Sequence, residues 1–284
     1  MKNYKQLIAT GVMLFGVVPL ATADHWVTDP VGGCQVWSYG DPSSKEVVSW
    51  SGSCETGKAT GRGVLVVNDP SGLLAVFDGE MSAGKGNGFG TIRFRNDESG
   101  DYDSYLGQFQ DSLPQGRGIF ESSEGWRLEG EFSGSFDTGS GTLYVRDEEK
   151  NTDAVIRGSF KDGELTGPAF AFYELENGEI YFGDIEGGKR QGTGTLIHPS
   201  DDTYIGDFED GVASGYGVYE GAAGGATLGE FENGKPNGLA TYIAANGDNY
   251  QGVFIEGVPQ GMLLVTKADG SQHVETWKDG EKQQ

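Results

Sequence analysis

The side chains best placed to do chemistry are carboxylates that recur in pairs two residues apart: Glu129 and Glu131, Asp184 and Glu186, Asp207 and Glu209, Glu230 and Glu232. Residues two apart share a face of an extended strand. Eight acids on one strip suit a cationic docking partner or divalent cations, and the same strip also reads as a solvated face that keeps an open sheet soluble. If each pair belongs to one two-strand repeat, the pairs recur every ~9–10 Å. At that spacing two charges in water repel by roughly 0.4 kcal/mol before screening, which a fold tolerates.

Catalytic groups are scarce. His25, His198 and His273 are far apart in the chain, and no Gly-x-Ser-x-Gly elbow, His-Glu-x-x-His or phosphate-binding loop occurs. Gly86-x-Gly88-x-Gly90 reads as punctuation within a repeat. Asp97, Glu98, Asp101 and Asp103 have the composition of a calcium loop without the spacing of an EF-hand, so the segment reads as an exposed linker. No catalytic residue, metal or cofactor is assigned, and an uncharacterised enzyme such as a hydrolase is the third-ranked reading.

The elements that position the acids follow from the glycines. The repeat anchors are Gly52, Gly79, Gly107, Gly130, Gly158, Gly183, Gly206, Gly229 and Gly252, and the last four are 23 residues apart. A degenerate copy with Glu275 at the anchor follows after another 23. In the regular repeats at Gly183, Gly206 and Gly252 an aromatic residue precedes the anchor by two (Tyr181, Tyr204, Tyr250), and an apolar residue follows it by two at every anchor (Phe208, Phe231, Phe254). These three positions share one face of a first strand. Asp210-Gly211 and Asn233-Gly234 then supply a tight hairpin turn. A second strand carries Gly at +9, Gly or Ala at +11 in most repeats and usually a large residue at +13, as in Gly215, Gly217 and Tyr219. Large residues of one strand can thus lie over a floor of glycine in the next, which accounts for 49 glycines in a folded chain. A helix would be interrupted at every turn by such spacing. Extra residues at 68–73, 96–104 and 147–153 fall between repeats and emerge on one edge, a second candidate binding edge.

Composition bounds the partners. Residues 1–23 read as an export signal: Lys2 and Lys5, an apolar run from Leu7 to Leu20, then Ala21-Thr22-Ala23. A 14-residue apolar run falls short of the ~20 needed to span a bilayer. The mature chain would carry 18 basic residues against 43 acidic ones. Nucleic acid is therefore excluded as a partner, and an anionic membrane is disfavoured. Export would place Cys34 and Cys54 where disulfides persist. A turn near Asp41 to Glu46 sets the two cysteines opposite one another, predicting a disulfide that closes the first hairpin.

With these residues in place, Tyr-x-Gly-x-Phe-x-x-Gly-x-x-x-Gly-x-Gly at a 23-residue period resembles the MORN repeat (membrane occupation and recognition nexus). The cysteine-bearing opening resembles the first repeat of exported bacterial members. The resemblance implies an all-β fold, an elongated single antiparallel sheet of stacked β-hairpin repeats, open-ended and curved. It implies residues 24–49 as a cap strand and loop, and 50–284 as nine repeats plus a partial one. Members of the family mostly serve as protein-binding or lipid-associated scaffolds. The leading reading is an exported, periplasmic or secreted, non-enzymatic scaffold that presents an acidic sheet to protein partners, with self-association through free sheet edges as a further expectation. The alternative is a carbohydrate- or cell-wall-binding module, which the clustering of Trp26, Trp37 and Trp50 at the start does not favour.

Overall fold

The computed structural model describes residues 25–38, 45–96, 99–147, 152–175 and 177–283. The expected export signal lies outside them, as do Asp97, Glu98 and the turn residues 41–44. All regular structure in the described residues is strand. Contacts divide the chain into two blocks, one reaching Gly167 and the other running from Pro168.

In the first block, His25–Thr28 pairs antiparallel with Gln35–Ser38, while Val47–Trp50 and Ser53–Glu55 lie in turn along Lys58–Asp69. Each following strand then pairs antiparallel with the next: Gly72–Ser82, Lys85–Arg95, Tyr102–Gln110, Leu113–Glu121, Trp126–Ser133, Gly139–Asp147 and Thr152–Lys161. The second block repeats the arrangement from Ile180–Glu186 through Lys189–Ile197, Thr203–Glu209, Val212–Glu220 and Gly225–Glu232 to Gln272–Lys278.

Two expectations about the first block need correction. Cys34 and Cys54 are bonded, but their strands do not form one hairpin. Gln35–Ser38 instead pairs with the strand before it and meets Lys58–Asp69 at a single parallel pair. The extra residues at 68–73 are not a long loop either: Asn68 faces Leu73 and Asp69 faces Gly72, so the insertion lengthens both strands. Val66, Val67, Leu73 and Leu74 are β-formers or apolar residues that gain by continuing the ladder.

Packing follows one rule in the repeats that carry an aromatic residue at −2; Leu128, Ile156 and Thr227 stand there at Gly130, Gly158 and Gly229. The aromatic ring at −2 lies over the anchor and +11 glycines of its own hairpin, which face each other across the ladder, as Gly206 faces Gly217. A β-carbon at Gly217 would stand 2.5 Å from the Tyr204 hydroxyl, and one at Gly194 the same distance from that of Tyr181. Tyr204 then donates to the Asp207 carbonyl at 3.0 Å, and Tyr181 to that of Asp184 at 2.7 Å. Tyr204 also meets the Phe at +2 edge-on both in its own repeat and in the next, 5.2 Å from Phe208 and 5.1 Å from Phe231, while Tyr181, whose own +2 residue is Ile185, meets Phe208 of the next repeat. Tyr105 repeats the arrangement with Phe109 and Phe132. Phe136, from the longer turn before Gly139, packs on Phe94, Phe120 and Tyr105 in the first block.

The predicted anchors obey this rule to different degrees. Gly79, Gly107, Gly130 and Gly183 face the glycines Gly90, Gly118, Gly141 and Gly194 of their own hairpins. Gly158 faces Gly141 of the preceding strand, and Gly229 faces Ala240, the smallest side chain that the floor accepts. Two anchors depart from the expected pattern. Gly52 is not in a strand: it lies between Val47–Trp50 and Ser53–Glu55, where the Trp50 indole N–H donates to the Ser53 carbonyl at 2.9 Å and closes the chain over it. It remains a floor residue, since a β-carbon there would collide with the Trp50 ring. At Gly252 the +11 position is Leu263, not a small residue, and the ladder slips between Gln251 and Val253. A β-carbon on Gly252 would stand 2.8 Å from Leu263 Cγ, so here one anchor glycine makes room for an aliphatic side chain.

The hairpin turns take left-handed backbone at both central residues, which matches the twist of the flanking strands. Asp210 and Gly211 have φ of 50° and 91°, and Ala83, Thr56 and Glu256 adopt the same conformation without an Asn or Asp side chain to ease it.

Replacing Gly217 by Ala should cost about 2–3 kcal/mol, because neither the ring nor the facing Gly206 backbone has room to yield; urea unfolding of the variant checks this, and an unchanged midpoint would contradict the packing. Burial pushes the Tyr105 and Tyr204 phenols up to about 12 from an ordinary 10.0. A raised folded pKa means stability that is complete below the unfolded value and lost above it, so unfolding should set in as pH rises from about 10 towards 12. Tyrosinate absorbance and far-ultraviolet circular dichroism should change together; tyrosinate forming with native ellipticity intact would be the contrary result.

Candidate docking surface

The alternation that buries Tyr and Phe turns positions −1, +1 and +3 to the opposite, outer face. The eight acids singled out above all fall there, but they are not equivalent. Asp184 accepts the backbone N–H and the hydroxyl of Thr193 at 3.1 Å, and Asp207 accepts the N–H of Tyr216 at 3.0 Å. These bonds stabilise a bulge at which the pairing slips by two residues past the anchor, between Gly183 and Ile185 and between Gly206 and Phe208. The +9 glycines sit in that bulge with positive φ, 69° at Gly192 and 94° at Gly215. A β-carbon there would run into the +1 carboxylate, 3.0 Å from Asp184 Oδ2 and 2.8 Å from Asp207 Oδ2. The +9 glycine is thus required by the bulge and by the acid that caps it, not by the aromatic floor.

The remaining acids divide by block. Glu131 pairs with Arg117 at 3.0 Å and Glu129 with Arg127, so in the first block the strip is neutralised locally. In the second block Glu230 accepts the Tyr216 hydroxyl at 3.1 Å and Glu232 the Asn237 side chain. Glu186 and Glu209 are exposed and face Lys189 and Val212 across the ladder.

Both edges of the hairpins are occupied by contacts between repeats. At the two-residue turns, the amide side chain at +8 receives the N–H of the next turn: Asp210 N–H donates to Gln191 at 3.0 Å, Glu256 to Asn237 at 3.2 Å and Asp279 to Gln260 at 2.9 Å. Lys189 and Lys235 reach the same turns through Asp210 and Glu256. The lysine's hydrogen bond holds the Asp210 carboxyl below its ordinary range. At the other edge, Asp202 accepts Ala222 N–H at 2.8 Å and Asp103 accepts Ser123 N–H at 2.8 Å. Asp248 binds Lys267 at 2.8 Å and Ala268 N–H at 3.1 Å. These bonds keep the Asp202 and Asp248 carboxyls low, that of Asp202 chiefly through Ala222 and that of Asp248 chiefly through Lys267. On this edge Asp103, Asp202 and Asp248 are thus engaged in contacts between repeats. Asp103 also accepts Asn96 at 2.9 Å. Among the described residues no three His, Cys, Asp or Glu groups converge on a point suited to a metal. The histidines stay apart, each beside its own carboxylate: His25 with Glu46, His198 with Glu179 and His273 with Glu275.

What sequence reasoning missed is the apolar partner of the acidic strip. On the outer face of the second block, Phe172, Phe182, Thr195, Ile205, Val218 and Leu228 face one another strand by strand in an unbroken cross-strand row. Phe182 is 51% exposed and Ile205 48%, and beside them Tyr216 is 66% exposed. Tyr216, Val218 and Leu228 line a shallow depression over Gly217 and Gly229. The signal was in the chain: the residue just before the anchor is Phe182, Ile205 and Leu228 in successive repeats. Trp26 is 41% exposed with the Lys58 ammonium over its ring at 4.1 Å, while Trp37 and Trp50 are buried.

The MORN repeat model matches residues 77–99, 105–127, 181–203, 204–226 and 228–249. The chain is 27% identical over 159 residues to alsin of Homo sapiens and of Pan troglodytes, and 26% identical to that of Rattus norvegicus. The matched stretch covers 56% of this chain and only 9% of each of those relatives.

Removing the Asp207 side chain (Asp207→Ala) should cost about 1–3 kcal/mol, since it strips the bulge of its acceptor. Glu209→Ala, two residues on, should stay within about 0.5 kcal/mol. Thermal unfolding of the two variants side by side tests the division of roles, and equal losses would refute it.

Proposed function

We propose that this chain is an exported, non-enzymatic repeat scaffold, periplasmic or secreted, that docks protein partners on the outer face of its second block. One observation carries the reading. The chain leaves uncovered a cross-strand row that is apolar at five of its six positions, Thr195 being the sixth, with carboxylates beside it. The repeat match and the resemblance to exported members support a binding role in the envelope. The acidic strip is the polar margin of the surface and the apolar row its centre, an arrangement common to protein interfaces. A wall-binding module would call for a series of open aromatic platforms, and of the early tryptophans Trp37 and Trp50 are buried while Trp26 has Lys58 over its ring.

Affinity capture from the source organism's envelope extract tests the proposal. The native chain should retain a protein partner that the double variant Ile205→Ser, Leu228→Ser loses while keeping native circular dichroism. Identical captures by both chains, or retention only on insoluble wall polymer, would overturn it.

A further inference from the structure

We infer that the occupant of this face is an amphipathic helix carrying Lys or Arg along one flank at seven-residue spacing. The inference rests on the docking reading above and adds the chemistry of the partner. From Phe172 to Leu228 the row crosses six strands. Five intervals of ~4.8 Å give about 24 Å, the length of a helix of roughly 16 residues. A row running across the strands is matched by side chains one helical turn apart, at ~5.4 Å against ~4.8 Å. An extended strand, with its ~6.6 Å two-residue repeat, fits that row less well.

Charge sets the orientation. On the side of the row toward the two-residue turns stand Asp184, Glu186, Asp207, Glu209, Glu230 and Glu232. Toward the other edge, the parallel row from Glu174 through Ile180, Ile197 and Thr203 to Glu220 carries two carboxylates. The denser side repeats every second strand, about 9.6 Å, and seven residues of α-helix advance about 10.5 Å. Cations once per heptad would therefore keep step with the acid pairs while an apolar seam follows Phe182, Ile205 and Leu228. Lys189 and Lys235 stand opposite Glu186 and Glu232 across the ladder, but their ammonium groups are bonded to the turn carboxylates of Asp210 and Glu256, so each lysine is balanced by an acid outside the strip. A second copy laid face to face would bring six carboxylates against six, and an anionic bilayer meets the same repulsion.

The probe is a synthetic helix of about 16–18 residues with a leucine seam and lysines at every seventh position on one flank, titrated against the full chain by fluorescence anisotropy. Its partners are a version with glutamate for lysine and one of the same composition scrambled. The lysine helix should bind, weaken about tenfold with Ile205→Ser and Leu228→Ser, and weaken roughly threefold with Glu186→Gln, Glu209→Gln and Glu232→Gln, which leave the bulge acids intact. Equal binding of the glutamate or scrambled peptide, or binding indifferent to these substitutions, would overturn the inference. So would a dimer in sedimentation that Ile205→Ser abolishes, or binding of the chain to phosphatidylglycerol vesicles. If the envelope capture succeeds while the lysine helix fails, the occupant is wrong and the scaffold stands; if both fail, the docking reading falls with it.

Discussion

Everything in this structure depends on an aromatic ring having somewhere to lie down. A single layer of strands has no second layer to cover its apolar face, so each repeat must cover its own. It does so by deleting two facing side chains, as at Gly206 and Gly217, and laying Tyr204 flat across the gap. The ring then reaches Phe231 in the next repeat, so no repeat is complete without its successor. The glycines cost backbone entropy, which the buried aromatic area offsets.

From that constraint the outer face follows. The bulge past the anchor lets Phe208 stay inward while the chain turns, and it exposes a backbone N–H that Asp207 satisfies. A carboxylate at +1 is therefore an answer to a backbone problem before it is a surface charge. The acids at +3 have no such duty, and the apolar residues at −1 stand between the two demands.

Much of this could be read from the chain. The period, the turn glycines and the inward Tyr and Phe are written in alternation and spacing, because burial on one side of a strand imposes a period of two. What could not be read depended on contacts between positions with no shared period. Nothing in Gly192 distinguishes a floor glycine from a bulge glycine until the register slip at Gly183 is known. Gly52 has the spacing of a strand anchor, yet the Trp50 indole takes it out of the ladder. The acids at 129 and 131 look like those at 184 and 186, yet Arg117 and Arg127 neutralise the first pair. The disulfide pairing was legible, but its strands were not, since Gln35–Ser38 turns back on His25–Thr28. The row through Phe182, Ile205 and Leu228 becomes continuous only through the cross-strand partners Phe172, Thr195 and Val218, which the register alone brings beside it.

The amide side chains at +8 tie each turn to the next, Gln191 to Asp210 and Asn237 to Glu256, but Ser214 stands at that position between them. No side-chain bond links Ser214 to the turn at Asn233 and Gly234, which is held by the Gly234 N–H donating to the Ala213 carbonyl at 2.9 Å. Tension along the stacked hairpins would then be shared at most turns by a side-chain clasp as well as by the ladder, and at Ser214 by one contact fewer. Like a hem with one stitch left out, the second block has a place where it would give first when stretched.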